Sequence, residues 1–177
     1  MVVLILEIVN IVAIAIMQEP FDLDLISKRL EDTEFPSSGP RWLKMRLKPE
    51  NYYTAFYKSG KFLITGVKNI DKINEIVQRV QKKLNNAGIN ANLKAIKINN
   101  IVLMDKIELK QSLDNLIITL NDPRASYEPE QFPGLIYKDK EKGINYLLFS
   151  SGKIIITGTT NIELAKKNLE EFKNMIK

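Results

Sequence analysis

The 177-residue chain contains no cysteine and no histidine. Without thiols there is no disulfide framework, no thiolate nucleophile and no cysteine-ligated zinc. Without imidazole the usual general base and the commonest metal ligand are both missing. Aspartate, glutamate, lysine, serine or tyrosine could still run acid–base chemistry, but the familiar catalytic constellations are excluded. A binding protein without metal or cofactor is favoured. Also missing is any block of like charge. Lys and Arg number 26 against 21 Asp and Glu, a net charge of +5, with the basic residues spread over both halves. That balance permits a polyanionic partner without demanding one.

The apolar stretch from Met1 to Met17 lacks the basic flank of a signal peptide and carries Glu7 and Asn10 near its centre. A charge and an amide there argue against a membrane span. The stretch is rich in Val and Ile, so it reads as a strand, and the expectation is a cytosolic protein with no membrane partner.

What the chain has is a duplication. Ser59-Gly60-Lys61-Phe62-Leu63-Ile64-Thr65-Gly66 returns as Ser151-Gly152-Lys153-Ile154-Ile155-Ile156-Thr157-Gly158, residue 59 recurring at 151, an offset of 92. Six of these eight positions are identical. Asn10-Ile11-Val12 likewise recurs as Asn100-Ile101-Val102. A period this long is a duplicated subdomain and not a solenoid. Two halves are therefore expected, residues 1–90 and 91–177, related by a pseudo-two-fold axis. Such an object suits a partner that is itself nearly two-fold, and duplex DNA is the commonest.

Each half carries the same elements in the same order. In the first, a strand over 2–16 leads to a helix-like stripe from Phe21 to Leu30 behind Asp22 and Asp24. Strands are expected over 42–47, 52–57 and 61–65, with Ser59-Gly60 as a hairpin turn. Ile70, Ile73, Val77, Val80 and Leu84 then form the apolar face of a helix ended by Gly88. In the second half, strands fall at 95–104, 135–138, 145–149 and 153–157, with a helix over 109–116 and a closing helix over 162–176. The expected class is α+β: one curved antiparallel sheet with helices on its convex side, a pseudo-two-fold saddle.

The run Tyr127-Glu128-Pro129-Glu130-Gln131-Phe132-Pro133-Gly134-Leu135-Ile136-Tyr137, with Leu148-Phe149-Ser150-Ser151-Gly152-Lys153 and Thr157-Gly158, closely resembles the second repeat of the TATA-box-binding protein family. The paired Asn-Ile-Val resembles the same family, and the likeness spans essentially the whole chain. It implies a general transcription initiation factor, not an enzyme, that binds and bends A·T-rich duplex DNA through the minor groove. This family is itself the type example of that binding mode. The resemblance also implies recruitment of transcription factor B and, indirectly, of RNA polymerase. An archaeal source follows, with a nucleoid-associated place in the cytosol.

Residue by residue, the resemblance implies that Asn10 and Asn100 donate amide hydrogen bonds to base-edge acceptors. It places Val12 and Val102 beside them in the groove, and gives Thr65 and Thr157 hydroxyls that reach base edges. Arg46, Lys61, Lys138 and Lys153 become phosphate contacts. Phe132 and Phe149, residues 17 apart, become the wedges of the second half. In the first half those positions are Pro40 and Tyr57, with Trp42 or Phe56 as rings that could move in, so a weaker wedge is expected there. Asn51 stands where the family usually has Arg. Glu128 and Glu130 flank Pro129 on the loop that resembles the factor B docking site.

Singly, Asn10 also reads as a buried amide satisfied by backbone, Phe132 as a core anchor, and the glutamates as solvated loop charges. Repetition at Asn100 and the Pro133-Gly134 tip weigh against the first two. Other functions stay open: a divergent paralogue with altered DNA selectivity, a module that keeps only the factor B surface, or a saddle borrowed by a nucleic-acid enzyme. For the last, no catalytic domain fits in the chain.

Overall fold

The computed structural model describes residues 6–39 and 41–177. Residues 2–5 of the strand expected over 2–16, and Pro40, therefore lie outside the described residues. By its internal contacts the chain separates into two compact units, Asn10–Asn99 and Asn100–Lys177, the latter with the residues up to Val9.

The first unit begins in β1 (Glu7–Met17), continues through α1 (Leu23–Arg29), β2 (Thr33–Glu34), β3 (Leu43–Leu47), β4 (Tyr52–Tyr57) and β5 (Lys61–Val67), and closes with α2 (Ile73–Asn86) after a 3-10 turn over Ile70–Lys72. Its strands lie in the order β2-β3-β4-β5-β1, antiparallel throughout. The second unit is entered through β6 (Leu93–Lys106). It continues through α3 (Leu113–Leu120), β7 (Ala125–Ser126), β8 (Gly134–Asp139), β9 (Ile144–Phe149) and β10 (Lys153–Thr159) to α4 (Ile162–Met175). Its order, β6-β10-β9-β8-β7, follows the same scheme. The antiparallel α+β architecture expected from the sequence is the one formed in both units.

Strand alternation divides each sheet into two faces. On β1, Ile11, Ala13, Ala15 and Met17 are buried, while Val12, Ile14 and Ile16 are only half-buried. The buried face meets the helices. Ile73, Ile76, Val77, Val80 and Leu84 supply the buried stripe of α2, and Ala165, Leu169 and Phe172 that of α4. The expected stripe loses its first member: Ile70 lies in the 3-10 turn and is 37% exposed. In the first unit Phe56 packs between Phe21 and Phe62, with ring centroids 5.9 and 5.7 Å away. In the second, Tyr146 stacks on Phe172 at 4.3 Å and Tyr137 closes the cluster. Burying such rings stabilises each by roughly 2–3 kcal/mol.

Local rules explain most boundaries. Asp22 caps α1 by accepting from the Leu25 amide at 3.0 Å, and Asn161 caps α4 by accepting from Leu164 at 3.0 Å. The helix expected over 109–116 instead runs Leu113–Leu120, because Ser112 supplies the N-cap and Asn121 ends it in a left-handed conformation with φ 42°. The apolar residues at 107 and 109 that invite an earlier start belong to the chain that returns to the β9–β10 turn, where the Ile107 amide donates to the Gly152 carbonyl at 2.9 Å. The short strands β2 and β7 have two residues each, too few to leave an alternation in the sequence.

Candidate nucleic-acid interface

The face of each sheet turned away from the helices is left open, and nearly all the expected site residues fall on it. Consider first the amide of Asn10. Its Oδ1 accepts from the Gly66 amide at 2.7 Å and from the Thr65 hydroxyl at 3.0 Å. A backbone N–H can only donate, so the side chain must present its oxygen there, and the Nδ2 donor faces the other way. In the second unit Asn100 Oδ1 accepts from the Gly158 amide at 2.9 Å. Its Nδ2 donates to the Thr157 hydroxyl at 3.1 Å, which leaves one of its two N–H groups for a ligand.

The glycines in these clamps were not singled out by sequence reasoning as site residues, and they are essential to the geometry. The β1–β5 register shifts between Ile11 and Ala13 and the β10–β6 register between Ile156 and Thr159. At these bulges Gly66 and Gly158 have φ of 95° and 93°, the left-handed region that glycine enters without cost. The signal was present in the repeated Thr-Gly that ends both motifs.

Around each amide runs a half-buried apolar row. In the second unit the register aligns Met104, Ile155, Leu147 and Ile136 across four strands. In the first it aligns half-buried Ile14 and Leu63 with buried Ala55 and the cation Lys44, so the apolar row is shorter there. Val12 and Val102, both half-buried, lie on the same face next to the asparagines. Such a floor excludes water from whatever lies on it. Lys61, Arg46, Lys153 and Lys138 are exposed at its margins, so each unit presents cations beside an apolar strip.

Phe132 and Phe149 pair edge to face with ring centroids 5.7 Å apart, both half-buried. Gly134 makes the pair possible. A Cβ there would stand 2.8 Å from the Phe132 ring and 3.2 Å from that of Phe149. In the first unit Tyr57 is 38% exposed, while Pro40 lies outside the described residues. Phe56 is fully buried in the core and is not a ring that could move in. Trp42 is half-buried, and its indole Nε1 donates to the Tyr53 hydroxyl at 3.3 Å. Asn51 has φ 66° at the β3–β4 turn. Its counterpart Gly143 has φ 67°, and after glycine, asparagine is among the residues that best tolerate that conformation.

Glu128 and Glu130 are exposed in the loop before β8. Glu128 also works within the loop: its carbonyl accepts from the amides of Gln131 and Phe132, each at 2.9 Å, and its carboxylate accepts from the Gln131 side chain. That turn sets the take-off of Phe132.

Among the described residues no group of acidic side chains is placed to hold a metal ion, and no helix is long and apolar enough to cross a membrane. Taken together, the arrangement is that of a duplicated α+β protein with an open, cation-bordered binding face on each unit. The sequence model of the family described as "Transcription factor TFIID (or TATA-binding protein, TBP)" matches residues 5–87 and again 95–177. The chain is 36% identical to the TATA-box-binding protein of Aeropyrum pernix over 153 residues, covering 86% of this chain and 74% of that one. It is 32% identical to TATA-box-binding protein 1 of Methanosarcina acetivorans over 166 residues, covering 93% and 91%. Among solved structures, Methanococcus jannaschii TBP superposes with a TM-score of 0.83 at 31% identity over 97% of both chains. The chain belongs to the TATA-box-binding protein family and has its fold. That is a family of transcription factors and not of enzymes, and the relatives named here are archaeal.

Proposed function

We propose that this protein is an archaeal transcription initiation factor that binds A·T-rich promoter DNA through the minor groove, bends it and recruits transcription factor B, with RNA polymerase following indirectly. The two repeats, residues 1–90 and 91–177, each supply one binding face. The observation that carries the reading is the fixed polarity of the two asparagines. The minor groove of an A·T pair offers only acceptors, adenine N3 and thymine O2, whereas a G·C pair adds a donor. Asn10 and Asn100 have their oxygens tied to glycine amides, so each amide offers a donor to the ligand. A donor beside an apolar floor suits A·T edges and is opposed by the guanine amino group.

The Phe132–Phe149 pair then acts as the wedge that unstacks a base step, opening the groove onto the floor residues. Thr65 and Thr157 hold the asparagines and share the groove contact. Arg46, Lys61, Lys138 and Lys153 meet phosphates, which position the duplex without reading it. Glu128 and Glu130 provide an acidic loop for a basic surface on factor B, a complementarity that speeds encounter and sets register. The family resemblance, not a contact in the structure, supports that partner, and a cytosolic, nucleoid-associated location goes with it.

A gel-shift titration tests the reading. A TATA duplex is expected to bind with low-micromolar or tighter affinity and with altered mobility from bending. Equal affinity for TATA and G·C-rich duplexes of the same length overturns it. A second reading, a divergent paralogue with altered selectivity that works mainly through factor B, is favoured by one observation: the first unit has no counterpart of the Phe132–Phe149 pair among its described residues. It predicts factor B capture through Glu128 and Glu130 that persists when DNA shifts are weak.

A further inference from the structure

The two binding faces differ most between β3 and β4. Positions that match at the offset of 92 are Gly134 and Trp42, Lys138 and Arg46, Asn145 and Tyr53, Leu147 and Ala55. The residue whose smallness admits the phenylalanine pair in the second unit is thus replaced by the largest side chain there is. The register sets Leu43 opposite Phe56, Lys44 opposite Ala55 and Arg46 opposite Tyr53, so Trp42, Lys44 and Arg46 share the open face. For its indole to reach the Tyr53 hydroxyl at 3.3 Å, Trp42 must extend along β3 across the Lys44–Ala55 pair. Ala55 faces the open side and yet is only 2% exposed, whereas its counterpart Leu147 is half-buried. Leu at position 55 would occupy that path. The Arg46 guanidinium lies over the Tyr53 ring at 5.0 Å. Four replacements are therefore mutually adjusted: a large ring is added, a small residue makes room for it, a phenol anchors its far end, and a planar cation covers the phenol.

We infer that Trp42, extended over Ala55 and anchored by Tyr53, is the aromatic contact that the first unit makes with DNA in place of an inserted pair of rings. A flat indole offers a large apolar surface to sugars and base edges at little entropic cost, and Arg46 beside it meets the adjoining phosphate. It broadens the floor and does not separate a base step. The inference rests on the DNA-binding reading above and specifies how the altered first unit takes part in it.

Trp42 is the one tryptophan of the chain, so its emission reports on this site without a label on the protein. The intact protein is titrated with a TATA duplex carrying a far-red dye, reading dye anisotropy and tryptophan emission in the same samples. The expected result is a rise in anisotropy with emission changing in step, at the same midpoint. A rise in anisotropy with unchanged emission overturns the inference and leaves the binding reading standing. No rise in anisotropy overturns the binding reading and the inference with it. Trp42→Gly is expected to weaken binding roughly tenfold, the scale of one lost aromatic contact to a nucleotide, with the melting temperature read alongside. Trp42→Phe, which keeps a ring without the anchor, is expected to fall between the two. Tighter binding by either folded variant would show that the indole obstructs the face, and overturns the inference.

Discussion

At the scale of single residues, burial and hydrogen bonding decide the outcome. Thr54 is fully buried, and its hydroxyl has no hydrogen-bond partner. An unsatisfied buried hydroxyl costs about 1–3 kcal/mol, and an apolar isostere removes that cost. Thr54→Val is therefore expected to raise stability by about 1 kcal/mol in a denaturant melt, with DNA binding unchanged because the side chain points to the core. Asp122 behaves differently. Hydrogen bonds from the Arg124 guanidinium hold its carboxyl at about 2, well below its usual 3.8, and the Tyr137 hydroxyl at 3.3 Å adds to this. Because the folded pKa is depressed, the contribution is complete above about pH 4 and is lost as pH falls towards 2. In acid unfolding followed by circular dichroism, Asp122→Asn is expected to lower stability at neutral pH and to flatten the decline below pH 4. Burial meanwhile pushes the Tyr137 phenol up to about 12, so it stays a neutral donor to Asp122 throughout that range.

At the scale of elements, the repeated motif is explained by its neighbours. Gly60 sits against the end of β1: a Cβ there would lie 2.3 Å from the Glu19 carbonyl, and the Gly60 carbonyl accepts from Met17 at 2.8 Å. Gly152 repeats this against Ile107, where a Cβ would lie 1.9 Å from the carbonyl. Five residues further on in each motif, Thr and Gly hold Asn10 or Asn100. Each motif strand is thus fastened to its β1 or β6 neighbour at both ends, which accounts for two glycines and a threonine; the buried Ile64 and Ile156 between them serve the core. Gly152→Ala combines a backbone collision with a φ of 78° and is expected to destabilise by about 3 kcal/mol, measured as a lowered denaturation midpoint. One further tie is retained with its charges exchanged. Arg79 of α2 bonds Glu50 in the β3–β4 turn at 2.8 and 2.9 Å, and at the matching positions Glu171 of α4 bonds Lys142. An opposite pair thus joins helix to turn in both units, with either polarity.

At the scale of the whole molecule, charge is the property that binding would read. If Arg46, Lys61, Lys138 and Lys153 each neutralise one phosphate, log affinity should fall against log salt with a slope of about −3.5. Lys153→Ala should reduce the slope by about 1 and weaken TATA and non-TATA duplexes alike, both read from anisotropy titrations across salt concentrations. A slope unchanged by the substitution would remove Lys153 from the interface. Phe149 belongs to a different class. Phe149→Ala is expected to reduce bending more than the salt slope, because the ring contributes to deformation and not to charge.

Much of this is legible in the sequence, for identifiable reasons. Periods of two and near 3.6 mark strands and helices because side-chain direction alternates with those periods, so the twelve described strands and helices longer than three residues could be read directly. The duplication was visible because close contacts at glycine and threonine leave no other residue that fits. Hidden from such reasoning were the two-residue strands, the later start of α3, and the burial of Phe56 beside exposed Tyr57. So too was the anchoring of Trp42 on Tyr53, residues 11 apart that a hairpin places on one face. The sequence by itself determined the repeated architecture and the kinds of residue on its faces, since both follow from local periodicity and identity. Only the tertiary structure decided which atom of each asparagine is left to donate and which ring lies open, because those depend on cross-strand partners that no local pattern specifies.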